Sequence, residues 1–222
     1  MNTVFGRLNN SSLKRRMADE IRENILNGTL REGERLVERK LAEQFSTSLT
    51  AVREALIELE AQGFITKKPN FATFVTKFPP DAVDKIFAFR RVIEVHTVAE
   101  AARVGTSEQM ESLSQAYEEL LAAAEAQDTR LYLQKDLALH ELIWQISNNE
   151  YFEIALKRVV RPFFAFTAIR MSHGDSYDLV EDASNHLAFV DPIRSRDAEA
   201  AGKAYLSALD EWYAQACAYV FT

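Results

Sequence analysis

Two groups of residues in this chain have types and spacings suited to chemistry. In "SLTAVREALIEL", Ser48, Thr50 and Arg53 put two hydroxyls and a guanidinium on one side of a helical segment. Val52, Ala55, Leu56 and Leu59 recur at i, i+3, i+4 and i+7, the pattern of the opposite side facing a core. Hydroxyls and a guanidinium at the front of a helix suit DNA: an arginine reaches a guanine bidentately or clamps a phosphate. The second group is Asp136 and His140 in "LQKDLALHEL", which at i and i+4 project from one helix face and suit a shared cation. The plainer reading of that pair is a solvated or N–H-bonded carboxylate beside a histidine.

The first group needs a scaffold, and the N-terminal third supplies one. Leu13, Met17, Ile21 and Ile25 form one helical stripe, and Gly28 stands where the helix would end in a left-handed residue. "REGERL" predicts a turn around Gly33. A short helix over Glu38 to Phe45 turns Leu41, Ala42 and Phe45 inward, Ser48 caps a third helix, and that helix stops at Gly63. "FITKKPNFATFVTKF" alternates and turns at Pro69 and Asn70, which predicts strands from Phe64 to Lys67 and from Thr73 to Lys77. Three helices closed by a hairpin make a winged helix-turn-helix, whose last helix enters the major groove by its N-terminus. Arg39 and Lys40 are then placed for phosphates, and Lys67 and Lys68 lie on the wing, along the backbone or minor groove.

After "FPPD" the patterns become long and helical, with six helices expected near 81–104, 107–127, 129–147, 150–171, 176–195 and 197–220. Short connections such as "VGTS" and "SNNE" make the neighbours antiparallel. Asp81 is the expected cap of the first, and Pro162 and Pro192 fall inside helices, where each removes a backbone hydrogen bond and predicts a kink. The reading is therefore mainly α: a winged helix-turn-helix over 1–78 and an antiparallel helical bundle over 79–222. Charge divides at the same place. Through Lys77 there are 13 Lys and Arg against 10 Asp and Glu, and beyond it 13 against 23, so a basic front precedes an acidic body within a net charge of −7. Only the front is suited to a polyanion.

Cys217 is the only thiol, which excludes an intrachain disulfide and C-x-x-C metal sites and fits a reducing cytoplasm. The first twelve residues lack the features of a signal peptide, and no apolar run approaches bilayer length, so no membrane partner is expected.

"VERKLAEQFSTSLTAVREALIELEAQGFITKKPNFATFV" resembles the winged-helix domain of the GntR family of bacterial transcription regulators, the likeness running from about Leu13 to Val75. The resemblance implies DNA contacts at Arg39, Ser48, Thr50 and Arg53. The sequence departs from the family at Leu49, where an arginine that reads bases is usual, and at Phe71-Ala72, which replaces Arg-Gly at the wing tip. From about Asp81 to Tyr219 the chain resembles the FCD ligand-binding domain of the FadR branch, through "FRRVIEVHTVAEAA", the Asp136/His140 pair, "SNNEYF" and "NHLAFVDPIRSRDAEAAGKAYLSAL". The short link and helix count are closer to the VanR-type subgroup. This likeness implies a divalent metal (zinc, nickel or manganese) on Asp136, His140 and His186, with Ala208 at the usual fourth ligand position. Arg90, which shares a face with Glu94 and Thr97, resembles the family's effector-side arginine and suits a small carboxylate; its plainer reading is a surface pair with Glu94. His96 and His173 read as structural or exposed.

The expected function is a homodimeric transcription regulator, a repressor, that binds a palindromic double-stranded operator and answers to a small carboxylate effector. Two alternatives stand beside it. Three metal ligands plus water also suit a metal-dependent hydrolase, although no HExxH and no evident general base accompany them. Leu49 and Ala72 leave room for an interaction module with weakened DNA binding.

Overall fold

The computed structural model describes residues 11–68, 72–79, 81–171 and 178–220, apart from the side chains of 11–12, 168–171 and 218–220. The chain divides at Lys77 and Phe78 into two compact units.

In the first unit, α1 (Ser11–Leu26) lies against α3 (Leu49–Ala61), with the short α2 (Glu38–Gln44) between them in sequence. Met17, Ala18, Ile21 and Ile25 of α1 are buried, whereas Leu13, expected on the same stripe, is 40% exposed in the first turn of the helix. Gly28 follows the end of α1 with φ +77°, and its N–H bonds to the Ile25 carbonyl, as a left-handed terminator requires. Arg22 is buried and donates to Gln62 Oε1 at 3.1 and 2.8 Å and to Asp19 at 2.7 Å, tying α1 to the end of α3. Gly63 then turns the chain with φ +83° into the sheet.

That sheet has three strands in the order β1-β3-β2: β1 (Arg35–Leu36), β2 (Ile65–Lys68) and β3 (Ala72–Val75), all antiparallel. Ile65 faces Val75 and Thr66 faces Phe74; β2 lies one residue later than alternation predicts, and β3 begins one residue earlier and ends two earlier. The first strand is a correction. "REGERL" contains a strand as well as the turn, because Arg35 and Leu36 close the free edge of β3 opposite Phe74 and Thr73. Thr76 donates its hydroxyl to the Gly63 carbonyl at 2.5 Å and pins the hairpin to the end of α3. The expected turn at Pro69 and Asn70 lies outside the described residues.

The second unit contains six helices among the described residues: α4 (Ala82–Val104), α5 (Ser107–Glu125), α6 (Thr129–Ile146), α7 (Glu150–Met171), α8 (Leu179–Arg194) and α9 (Ala198–Val220). α4 runs along α9, and α5 packs on α6 and α8. Thr106 and Gln109 form a reciprocal capping box that starts α5, and Asp128 and Asp178 cap α6 and α8. Asp81 does not cap α4. Its backbone is already helical and its carboxylate instead accepts from Lys85 Nζ at 2.5 Å, four residues on. α7 and α8 continue through Pro162 and Pro192.

The α4–α5 corner leaves no room for a side chain at Gly105. A Cβ on Gly105 would stand 2.7 Å from Ile146 Cγ2 and 2.8 Å from the Ala101 carbonyl oxygen, besides meeting Met110. Gly105→Ala should therefore destabilise the protein by roughly 1–3 kcal/mol through overpacking, measured as a lower midpoint in chemical denaturation. An unchanged midpoint would show that the corner relaxes freely.

Candidate functional site

The DNA-facing candidates are set by the start of α3. Ser48 is extended, and its hydroxyl oxygen accepts from the Ala51 N–H at 3.2 Å, fixing the first turn and leaving its O–H as a donor. Leu49, Thr50 and Arg53 are exposed on one side, while Val52, Ala55, Leu56 and Leu59 are buried on the other. Arg53 Nε donates to Glu38 Oε2 at 2.7 Å, so Glu38, in the first turn of α2, holds the guanidinium by its inner edge. The outer pair of nitrogens is the fork that suits a guanine or phosphate. Arg39 is exposed and lies 3.7 Å from Glu43, and Lys40 is exposed beside it. On β2, Lys67 pairs with Glu60 at 2.9 Å, and the Lys68 ammonium sits 4.9 Å over the Phe74 ring. Phe71 lies outside the described residues.

The other candidates converge inside the second unit. Asp136 and His140 on α6 and His186 on α8 place one ligand atom each within 4.8 Å of one another. Both imidazole Nε2 atoms approach the same carboxylate oxygen, Asp136 Oδ1, at 3.3 Å from His140 and 3.1 Å from His186. The partners of the opposite ring nitrogens are equally defined. His186 Nδ1 lies 2.7 Å from the Asp182 carbonyl, which only accepts, so Nδ1 carries the proton there. His140 Nδ1 lies 3.2 Å from the Tyr205 hydroxyl. His186 thus presents both nitrogens to oxygen acceptors, a geometry satisfied by an imidazolium or by a cation taking the Nε2 lone pair. Burial opposes charge on His186, but Asp136 and Asp182 together more than offset it and raise the ring above its ordinary value. Burial likewise works to raise Asp136, and hydrogen bonds from His140 and His186 override it, holding the carboxyl well below the usual carboxylate range.

This donor set fits a divalent metal. Ligand atoms about 2.0–2.2 Å from one ion stand roughly 3.0–3.5 Å apart on adjacent positions, the separations that Asp136 has from each ring. Ala208, on α9, is buried and offers no donor. Tyr205, one turn earlier on α9, instead orients His140 from behind.

Arg90 on α4 is 3% exposed and is paired with fully buried Glu94, Nε to Oε2 at 2.5 Å. The surface reading of that pair is therefore wrong: α4 turns this polar face into the bundle. Glu94 Oε1 also accepts from Trp144 Nε1 at 3.1 Å. The guanidinium stacks between aromatic rings, its Cζ 5.1 Å from Phe87, 5.6 Å from Phe164 and 5.7 Å from Trp212. Arg90 Nη2 is buried without a hydrogen-bond partner. Arg90, Asp136 and His140 line one cavity of about 80 Å³, together with Tyr132, Thr167, Asp182, Trp212 and Gln215. Thr97, expected on the Arg90 face, bonds its own helix at the Ile93 carbonyl.

Sequence reasoning missed the supports of this site. The Asp182 carboxylate accepts from the Tyr132 hydroxyl and from Trp212 Nε1 at 3.1 Å, while its carbonyl sets His186. Asp182 and His186 repeat the i, i+4 spacing of Asp136 and His140, a signal that was available. Nothing in the sequence links Glu38 to Arg53 or Tyr205 to His140. His96 is exposed, with an edge contact to Phe152 at 5.4 Å, and His173 lies outside the described residues.

A winged helix-turn-helix and a separate helical bundle whose largely apolar cavity carries a few polar groups, Arg90, Asp136 and His140 among them, define a class of ligand-responsive DNA-binding regulators. Residues 13–75 match the description "Bacterial regulatory proteins, gntR family", and residues 85–211 match "FCD domain". The chain belongs to the GntR family, in the group that carries an FCD domain. It is similar to the uncharacterized HTH-type transcriptional regulator YieP of Escherichia coli, with 29% identity over 85% of this chain and 88% of that protein. It is also similar to a gluconate operon transcriptional repressor of Bacillus licheniformis, 26% identical over 86% of this chain and 79% of that one. Among solved structures, E. coli McbR/YncC shares the fold with a TM-score of 0.69 and 21% identity, covering 91% of this chain and 96% of that one. The protein is accordingly a DNA-binding transcription regulator and not an enzyme, and none of these likenesses favours the hydrolase reading. No described helix is long and apolar enough to cross a membrane.

The Glu38–Arg53 contact yields a measurable expectation. Glu38→Ala frees the guanidinium and removes a negative charge from the surface around the candidate DNA contacts. Non-specific affinity should rise while the ratio of specific to non-specific binding falls roughly two- to five-fold, the worth of an exposed ion pair, in fluorescence anisotropy at fixed salt. An unchanged ratio would mean that Glu38 does not orient Arg53.

Proposed function

We propose that the protein is a homodimeric repressor that holds a palindromic operator and releases it when a small carboxylate enters the α4–α6–α9 cavity. The observation that carries this reading is Arg90: a buried guanidinium on the cavity wall with Nη2 unpartnered. A ligand carboxylate supplies the missing acceptor in a charge-assisted hydrogen bond. The gluconate operon repressor among the relatives carries a carboxylate in its name, which supports the same ligand class. Two-fold symmetry calls for two half-sites, each receiving Ser48, Thr50 and Arg53 of one α3, with Arg39, Lys40, Lys67 and Lys68 on phosphates. Release requires that the acid bind the DNA-incompetent arrangement more tightly than the competent one.

Asp136, His140 and His186 would hold the divalent metal, with zinc, nickel and manganese all compatible with such a set. When bound, the ion adds positive charge beside Arg90 and leaves coordination positions open to an anionic ligand. Arg90 anchors the carboxylate, Glu94 and Trp144 fix the guanidinium, and Tyr205 and Asp182 keep the two rings in register. The short interdomain link and six-helix bundle support the VanR-type subgroup, and the single thiol supports a cytoplasmic location.

The test begins with fragments selected from random DNA at fixed ionic strength, followed by release with candidate acids. Arg53→Ala should weaken the selected site roughly ten- to a hundred-fold, the range for losing a bidentate base contact. Binding equal to that of the parent protein would rule out the docking of α3. Arg90→Ala alone would strand a buried Glu94 charge, so the informative variant is Arg90→Met with Glu94→Gln, which keeps an acceptor for Trp144. It should bind the operator normally yet no longer respond to the acid. For the metal, zinc titrated calorimetrically into the metal-free protein should bind one ion per chain, and His186→Ala should weaken it by more than about ten-fold. Equal affinity in the two proteins would remove His186 from the site.

A further inference from the structure

The tip of α3 carries an apolar side chain that no part of the reading above uses. Leu49 is the first residue of the helix and 42% exposed, next to Thr50 and one turn before Arg53. The Ser48 cap makes this turn rigid, so Leu49 is presented in a fixed direction rather than on a loose end. Exposed leucines are ordinary on protein surfaces, but this one stands where a helix-turn-helix meets base edges. We infer that Leu49 reads thymine, through contact of its side chain with the 5-methyl group in the major groove, and so specifies a T·A pair in each half-site. The inference rests on the docking of α3 proposed above.

The chemistry of the groove selects the base. Guanine offers N7 and O6, adenine N7 and an amino group, and cytosine an amino group; thymine alone presents a methyl group there. A leucine pressed on any of the first three strips water from a polar group without replacing its hydrogen bond, which is costly. Against thymine it covers apolar surface with apolar surface. The spacing fixes the neighbour. Leu49 and Arg53, four residues apart, are separated by about 6 Å along the helix axis, close to two base steps of about 3.4 Å. Because the helix is inclined to the base stack, that rise sets an upper limit, and the thymine is expected within about two base pairs of the guanine or phosphate that Arg53 engages. Ile57, 55% exposed a further turn along the same side, lies away from the tip and serves as the internal control.

The test uses the full-length protein and its selected operator, in which each thymidine is exchanged singly for deoxyuridine, removing only the 5-methyl group. At one position per half-site the exchange should weaken binding roughly three- to five-fold, the worth of covering one methyl group. Leu49→Ala should bind the thymidine and deoxyuridine duplexes equally, whereas Ile57→Ala should keep the difference. The inference is overturned if the parent protein tolerates deoxyuridine at every position, or if Leu49→Ala discriminates as well as the parent does. In either case a selected operator weakened by Arg53→Ala leaves the docking of α3 intact. Failure to select any sequence overturns both.

Discussion

Burying charge in a helical bundle is costly unless each charge meets a partner, and the second unit is organised around meeting that requirement. Each ion taken from water loses several kcal/mol of hydration, which is regained only with close geometry and satisfied remaining donors. Glu94 achieves this from two sides, through Arg90 and Trp144, and Asp136 achieves it with two imidazoles. Helices α4, α6, α8 and α9 each contribute a member, so their rotation about their own axes is fixed by polar contacts as well as by the surrounding Phe87, Phe163, Phe189 and Trp212. Among the described residues of this unit, one buried side-chain nitrogen, Arg90 Nη2, stays unsatisfied, and it does so on the wall of the cavity. The bundle thus leaves a buried donor on the cavity wall, which any acceptor placed there would satisfy.

The first unit handles charge in the opposite way. Arg39, Lys40, Arg53, Lys67 and Lys68 remain in water, where pairing with Glu38, Glu43 or Glu60 is worth little and breaks easily. Such pairs orient a side chain without committing it, as a surface that exchanges protein carboxylates for phosphates requires. The rigid parts lie beneath. The Arg22–Gln62 bonds fix α1 to α3, and the Thr76 hydroxyl fixes the sheet to the same end of α3. The recognition helix is immobilised along its buried side while its outward side stays free to exchange partners.

Basic surface and ligand cavity therefore sit in separate units with opposite net charge. Like charge makes the acidic bundle a poor surface for a polyanion, and the basic balance lies in the winged helix.

Periodicity carried most of the fold. Apolar spacing placed six long helices within a few residues of their observed ends, since each buries one stripe and local capping marks the boundaries, as at Thr106 and Asp128. It also paired Asp136 with His140, because i and i+4 share a helix face wherever the helix lies. Strand β1 escaped it, for two residues make no pattern and Arg35–Leu36 is a strand only because β3 has an edge to fill. Asp81 looked like a cap, yet the choice between the helix N–H groups and Lys85 belongs to the folded backbone. Tertiary structure alone decided that the Arg90–Glu94 pair is buried, that Tyr205 lies behind His140, that Asp182 sets His186, and that Glu38 holds Arg53. A repeat along one helix reports which side is apolar, whereas contacts between residues far apart in the chain exist only once several helices have settled their rotations against each other.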